Sequence, residues 1–201
     1  MPILQDLVFD GLTKPCVKGY ILLARNDKTI PLQVPICEFD AKNAILCPQC
    51  ESKIESGELT KADAEASIRL AELAKDNDRI DRFRLYRCRE IDGNYIIHLD
   101  KDDIFTIRQS KDLYGLIQNK FPGKIWLVEA DESDNRFIED LFFPTKILSI
   151  SSVWQISGDQ KTKAVVSGRW TPKFPIDIEK AIQIIKNARN LNLEVEFEEA
   201  S

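Results

Sequence analysis

Histidine is almost missing: the 201 residues include one, His98, which alternates with Ile97 and Leu99 in a strand-like pattern. A Ser/His/Asp or Cys/His catalytic set would have to run through that residue, whose setting reads as structural or surface instead. Long apolar runs are also missing. The longest, Tyr20-Ile-Leu-Leu-Ala24, lies between Lys18 and Arg25 and falls well short of the roughly 18 uncharged residues that a membrane helix needs. No membrane partner is expected. The start, Met1-Pro-Ile-Leu-Gln-Asp6, lacks a basic stretch followed by an apolar one, which predicts no secretory leader and a reducing, cytoplasmic setting. The phosphate-cradling G-x-x-x-x-G-K-[ST] pattern, G-x-G-x-x-G and a nucleophile elbow are all absent. Acidic pairs such as Asp102-Asp103 and Asp131-Glu132 read as solvated loop charges rather than acid/base or metal dyads. Neither catalysis nor a small-molecule substrate is expected.

What remains suits a folded chain. With 43% hydrophobic and 30% charged residues, 8 Gly and 9 Pro, the composition is globular rather than disordered or low in complexity. The length admits one large domain or two to three small ones. A net charge of −5 and a pI near 5.1 argue against bulk electrostatic attraction to nucleic acid, so any such role must rest on a local patch.

Turn chemistry organises the rest. Asp92-Gly93-Asn94 lies between two β-rich runs, Arg82 to Glu90 and Tyr95 to Leu99, and predicts a hairpin. A helix precedes it: Thr60 can cap with Asp63 three residues on, and Ala66, Leu70, Leu73 and Ala74 recur at helical spacing. After the hairpin come the short apolar segment Asp103 to Ile107, a polar break at Arg108 to Lys111, a helical pattern through Leu113, Ile117 and Phe121, and a buried strand at Lys124 to Glu129. The same order returns later. A helix over Asn135 to Phe143 precedes a hairpin of Lys146 to Ile156 and Lys161 to Ser167 around Ser157-Gly158-Asp159. A helix over Ile176 to Ala188 and a strand at Leu193 to Phe197 follow. Gly93 and Gly158, and the closing strands at Ile125 and Leu193, stand at nearly equal offsets, the mark of a duplicated unit. The expected fold is thus mixed α/β (α+β), with units at 59–131 and 132–201. A small β-containing module at 1–58 would precede them, with Val17 to Leu23 pairing with Thr29 to Val34 and Pro31 placing the second strand on an edge.

Most of the five cysteines fall in that module. Cys47-Pro-Gln-Cys50 is a C-x2-C, which lets two thiolates from one tight turn face one ion, and Cys37 supplies a third. Asp40 occupies the place that would complete a doubled C-x2-C pattern; Cys16 is the rival fourth ligand. The predicted ion is a structural zinc, because no histidine and no open position accompany the thiols. The alternatives are ordinary thiols at a helix start, or a redox pair without the βαβ setting such pairs favour. Cys88, in a strand pattern, reads as core.

Helix-strand-strand-helix-helix-strand is the order of the type II KH domain, and two such units in tandem resemble the archaeal NusA-like transcription factors over roughly residues 35 to 198. The resemblance rests on that order and on three strings. These are Cys37-Glu-Phe-Asp-Ala-Lys-Asn-Ala-Ile-Leu-Cys-Pro-Gln-Cys50 with Lys53, Gly57 and Glu58; Lys124-Ile-Trp-Leu-Val-Glu-Ala130; and Phe137-Ile-Glu-Asp-Leu-Phe-Phe-Pro-Thr-Lys-Ile-Leu-Ser149, which looks like the linker between the two units. It implies single-stranded RNA binding and a role in transcription elongation or termination. KH domains clamp a nucleotide backbone with a G-x-x-G loop, yet the matching stretches here are Arg108-Gln109-Ser110-Lys111 and Trp170-Thr-Pro-Lys-Phe-Pro175, both without the motif.

Two readings therefore stand. In one, RNA is held by charge through Arg108 and Lys111 with Gln109 and Ser110, helped by Lys101 and Lys124, with Arg82, Arg84, Arg87 and Arg89 along one edge. In the other, the KH-like units are a scaffold for RNA polymerase or a ribosomal component. The Arg82 to Arg89 run then only keeps a strand edge from pairing.

Overall fold

The computed structural model describes residues 31–130, 133–154 and 160–198. The predicted strand Val17 to Leu23, Cys16, the pair Asp131-Glu132 and the turn Ser157-Gly158-Asp159 lie outside the described residues.

Two short helices come first, α1 (Glu38–Asn43) and α2 (Pro48–Glu55), followed by α3 (Lys61–Ala74). The described part of the leading module is thus helical rather than β. Only Gln33 extends a sheet, donating to the Phe83 carbonyl at 3.0 Å and accepting from Leu85 at 2.8 Å. Both short helices begin at a cysteine in extended conformation, Cys37 and Cys47, and Pro48 follows the second at the first helical position, where its missing N–H costs nothing.

The cap predicted for α3 forms in full. Thr60 Oγ1 accepts the Asp63 N–H at 3.1 Å, and Asp63 Oδ2 accepts the Thr60 N–H at 2.7 Å. The second oxygen of Asp63 does more than cap. It accepts the Cys88 N–H at 2.6 Å, closing part of the open edge of strand β1 (Leu85–Ile91), which offsets the burial of that carboxylate.

β1 pairs antiparallel with β2 (Asn94–Leu99), which pairs in parallel with β3 (Ile125–Glu129). Asp92 and Gly93 both adopt positive φ, 49° and 73°, the geometry of a tight two-residue hairpin loop. Gly123 is required by proximity, since a Cβ there would overlap the Gly93 carbonyl oxygen. Between β2 and β3 run α4 (Lys101–Gln109) and α5 (Lys111–Gln118). The segment Asp103 to Ile107 and the polar residues after it form one continuous helix, which ends only at Ser110. Asp103 is also no solvated loop charge: it is buried and accepts the Arg84 N–H at 2.8 Å.

The second unit repeats the pattern with one helix fewer. After α6 (Asp134–Leu141), strand β4 (Ile147–Trp154) pairs antiparallel with β5 (Gln160–Val166), and β5 pairs in parallel with β6 (Asn192–Phe197). Only α7 (Ile178–Arg189) lies between β5 and β6. The segment 167–177 holds no regular element where the first unit has α4.

Three cores result. Helices α3, α4 and α5 cover one face of the first sheet through Leu70, Leu73, Ile107, Leu113 and Ile117, with Cys88 among them as predicted. The other face presents Ile96, Trp126 and Val128 to Phe137, Ile138, Leu141 and Phe142 and onward to Ala164 and Val166 of the second unit. The third core lies on the far side of α3, where Ala64 and Ala71 meet Ile36, Ala41 and Cys50.

Candidate metal centre and nucleic-acid surface

The four predicted ligands, Cys37, Asp40, Cys47 and Cys50, converge: one donor atom from each lies within 4.8 Å of every other. The helices explain how. Each of α1 and α2 gives its N-cap residue and the residue three further on, Cys37 with Asp40 and Cys47 with Cys50. The two halves of the site are therefore built alike. Donor atoms around a tetrahedral ion with metal–sulfur bonds of about 2.3 Å would stand about 3.8 Å apart, so this cluster fits a single ion after a small contraction.

Asp40 is wholly buried, and its two oxygens divide their tasks. Oδ2 accepts the Cys47 N–H at 2.9 Å, which ties the two helix starts together. Oδ1 is buried with no hydrogen-bond partner. An unsatisfied buried carboxylate oxygen costs free energy, and among three thiols it is placed to meet a cation. The backbone supports the sulfurs too: Cys37 Sγ accepts the Asp40 N–H at 3.4 Å and Cys50 Sγ accepts the Cys37 N–H at 3.5 Å. These N–H groups orient the ligands and favour their charged form.

Burial pushes the Cys37 thiol up to about 11 and the Cys50 thiol further in the same direction. Burial would also raise Asp40, but the Cys47 N–H and the surrounding thiols outweigh it and carry the carboxyl below its ordinary value. Without an ion the cluster thus holds a carboxylate beside the protonated thiols of Cys37 and Cys50. A cation that enters displaces the thiol protons. Sequence spacing identified the four residues and set a helix start at Cys47 as an alternative to a metal site; it missed that two helix starts, at Cys37 and Cys47, build the site together.

The residues singled out for RNA part company. Arg108 is internal: its guanidinium donates to Asp140 Oδ1 at 3.0 Å and to the carbonyls of Leu127 and Asp140, both at 3.2 Å, and lies 4.1 Å from the Phe143 ring centre. These internal partners take up much of the guanidinium that was expected to contact phosphate. Ser110 is the whole junction between α4 and α5, and its hydroxyl caps α5 by accepting from Leu113 at 3.4 Å. Gln109, Lys111 and Lys101 are exposed near the ends of these helices. Lys124 sits over the Trp126 ring at 4.1 Å.

Sequence reasoning missed Arg79. It is exposed and reaches the Ser110 hydroxyl at 3.5 Å across a separation of 31 residues, so no local pattern pointed to it. Two arginines of the run from Arg82 to Arg89 engage other groups of the protein. Arg84 lies over Tyr86 at 4.8 Å, and Arg89 turns to the Ala188 carbonyl of α7 at 3.5 Å. His98 is half-buried against Phe137, with ring centres 6.4 Å apart.

No family model matches this chain, and no curated protein matches it. Among solved structures, the crystal structure of APE1850 is similar at 16% identity, over 65% of this chain and 95% of that one, with a TM-score of 0.41. A likeness at that level carries no argument about fold or function. Among the described residues, no helix is long and apolar enough to cross a membrane.

Proposed function

We propose that this chain binds single-stranded RNA as a tandem KH-type protein of the archaeal NusA-like kind, acting in transcription elongation or termination in the cytoplasm. The observation that carries the reading is the element order α3-β1-β2-α4-α5-β3, which coincides with the type II KH order. The shared strand polarity of the two sheets supports a tandem arrangement. Because a single serine replaces the G-x-x-G clamp, binding leans on side-chain charge. Arg79 and Lys111 are exposed cations at the α4–α5 junction, Lys101 is exposed at the opposite end of α4, and Arg79 takes the place first assigned to Arg108.

Titration of labelled single-stranded RNA at several salt concentrations tests the reading. Affinity should be modest and fall steeply, with a log–log slope of about −0.7 per phosphate neutralised. No binding at low salt sinks it. The second reading is then a KH-fold scaffold for RNA polymerase or a ribosomal component, favoured by the internal engagement of Arg108. A pull-down from native lysate, with and without nuclease, separates the two.

The ion we assign to the cysteine cluster is zinc, in a structural role. Cys37, Cys47, Cys50 and Asp40 would hold the ion through three thiolates and one carboxylate, a sulfur-rich donor set that zinc favours. Its contribution would be to lock α1 and α2 together against α3.

A further inference from the structure

The two units differ most in the segment between β5 and α7. After its hairpin the first unit passes into α4, whereas the second runs through residues 167–177 without a helix or strand. This segment is nonetheless anchored. Phe174 meets Phe197 edge-on with ring centres 5.4 Å apart, and Ile176 is buried in the core of the second unit. The Phe174 N–H donates to the Thr171 carbonyl at 2.9 Å, and Gly168 takes a φ of 94° that other residues rarely adopt. Pro172 and Pro175 fix two further φ angles.

An apolar side chain on such a loop would ordinarily turn inward, as Phe174 and Ile176 do. Trp170 does not: it is 62% exposed, with exposed Arg169 beside it and exposed Lys173 three residues on. From Gln160 to Ile176 the chain has no acidic residue, in a protein of net charge −5. An exposed indole with a cation on either side of it in the chain is suited to stacking, since every base offers a π-face and the cations can meet flanking phosphates. Charge complementarity selects a polyanion. The prolines lower the entropy lost when the loop is fixed by a ligand.

We propose that the loop Arg169 to Lys173 is a single-stranded RNA contact, with Trp170 stacked on a base and Arg169 and Lys173 meeting adjacent phosphates. The inference rests on the RNA-binding reading above and deepens it, placing a contact on a segment other than the Ser110 junction. It predicts little base preference, because stacking is tolerant of sequence.

The test measures anisotropy of fluorescein-labelled oligouridylate and oligoadenylate with wild type, Trp170→Ala, Trp170→Phe and Trp154→Ala. Trp154, 71% exposed, is the matched control. Trp170→Ala should weaken both oligonucleotides about 10-fold, Trp170→Phe should keep most of the affinity, and Trp154→Ala should match wild type. Arg169→Ala and Lys173→Ala should each flatten the salt slope by about 0.7. If wild type binds and Trp170→Ala binds equally well, or Trp154→Ala loses as much, the loop is not the contact while the RNA-binding reading stands. No wild-type binding at low salt overturns both. Oligoglutamate that competes with RNA and binds the free protein more tightly, with the same dependence on Trp170, would assign the loop to an acidic protein segment instead.

Discussion

Arg108 and Asp140 are 32 residues apart in sequence and 3.0 Å apart in space. The carboxylate also accepts the Glu129 N–H at 2.9 Å, while the guanidinium reaches the Leu127 carbonyl. The pair thus occupies polar backbone groups on β3 and joins α4 to α6. Their side chains are 16% and 1% exposed, so neither charge is free to relax into water if the other is removed.

Breaking a buried ion pair from one side costs about 3–5 kcal/mol, because the remaining charge is stranded. Asp140 keeps Arg136 at 3.7 Å, so Arg108→Ala is expected to destabilise the protein by the low end of that range, about 3 kcal/mol in urea unfolding, whatever it does to RNA. Arg108→Met combined with Asp140→Leu should cost less than the two single changes added together. An Arg108→Ala midpoint equal to wild type would show that β3 holds its edge without the pair.

Protein purified without added metal is expected to carry about one zinc per chain by elemental analysis. Cys50→Ser should abolish it and loosen α1 and α2, while the core shared by the first sheet and the second unit stays folded. Asp40→Ala decides the fourth ligand. Lost or weakened zinc confirms the carboxylate; unchanged content moves the assignment to Cys16.

Stability of this module should respond to pH in opposite directions with and without its ion. In the metal-free fold, burial raises Cys37 to about 11, above the value of about 8.5 for an unfolded thiol. That contribution is fully present below about pH 8.5 and is lost as pH rises toward 11. With the ion bound the thiols are ionised, so stability should instead fall as the pH drops and protons compete for sulfur. Hydrogen exchange of α1 and α2 amides across pH, with and without chelator, reads both trends. Identical profiles would mean that no ion engages these thiols.

Glycine replacements should rank by space rather than by φ. A Cβ on Gly123 would overlap the Gly93 carbonyl oxygen, whereas one on Gly93, at φ 73°, meets nothing within 4 Å. Gly93→Ala is expected to cost about 1–2 kcal/mol for the left-handed backbone, and Gly123→Ala more, about 3 kcal/mol, because the hairpin must move off the chain before β3. Thermal or urea unfolding of the two variants gives the order directly; the reverse order would mean that the hairpin and this segment separate easily.

Replacing Arg79 and Lys111 together by alanine should weaken different single-stranded RNAs about equally and flatten the salt slope by about 1.4, two phosphates' worth on a single strand. Unchanged binding would remove the α4–α5 junction from the RNA surface.

Local chemistry made much of this legible. Asp92-Gly93 marked its hairpin, Thr60 and Asp63 marked their cap, and the cysteine spacing marked four residues that do converge. The misreadings share a cause in long-range partners. Arg108 looked like a polar break in the chain because its counter-charge, Asp140, comes from another element, and the α4 helix continues through it. Asp103 looked solvated because the Arg84 N–H it accepts belongs to the approach to β1. The second unit looked like a full repeat, yet its residues marked only one helix before the closing strand, Ile176 to Ala188, and that is the one that forms, as α7.

Helix α3 is shared between two cores. Ala66, Leu70 and Leu73 face the first sheet, while Ala64 and Ala71 face the metal module. An inserted or deleted residue near its middle would turn everything beyond it by about 100° and take both sets out of register at once. A surface helix packed on one side can sometimes absorb such a slip by bulging toward water. This one has too little open surface to bulge into, so its residue count is under double constraint. Length changes in this part of the chain should be confined to the turns before Thr60 and after Ala74.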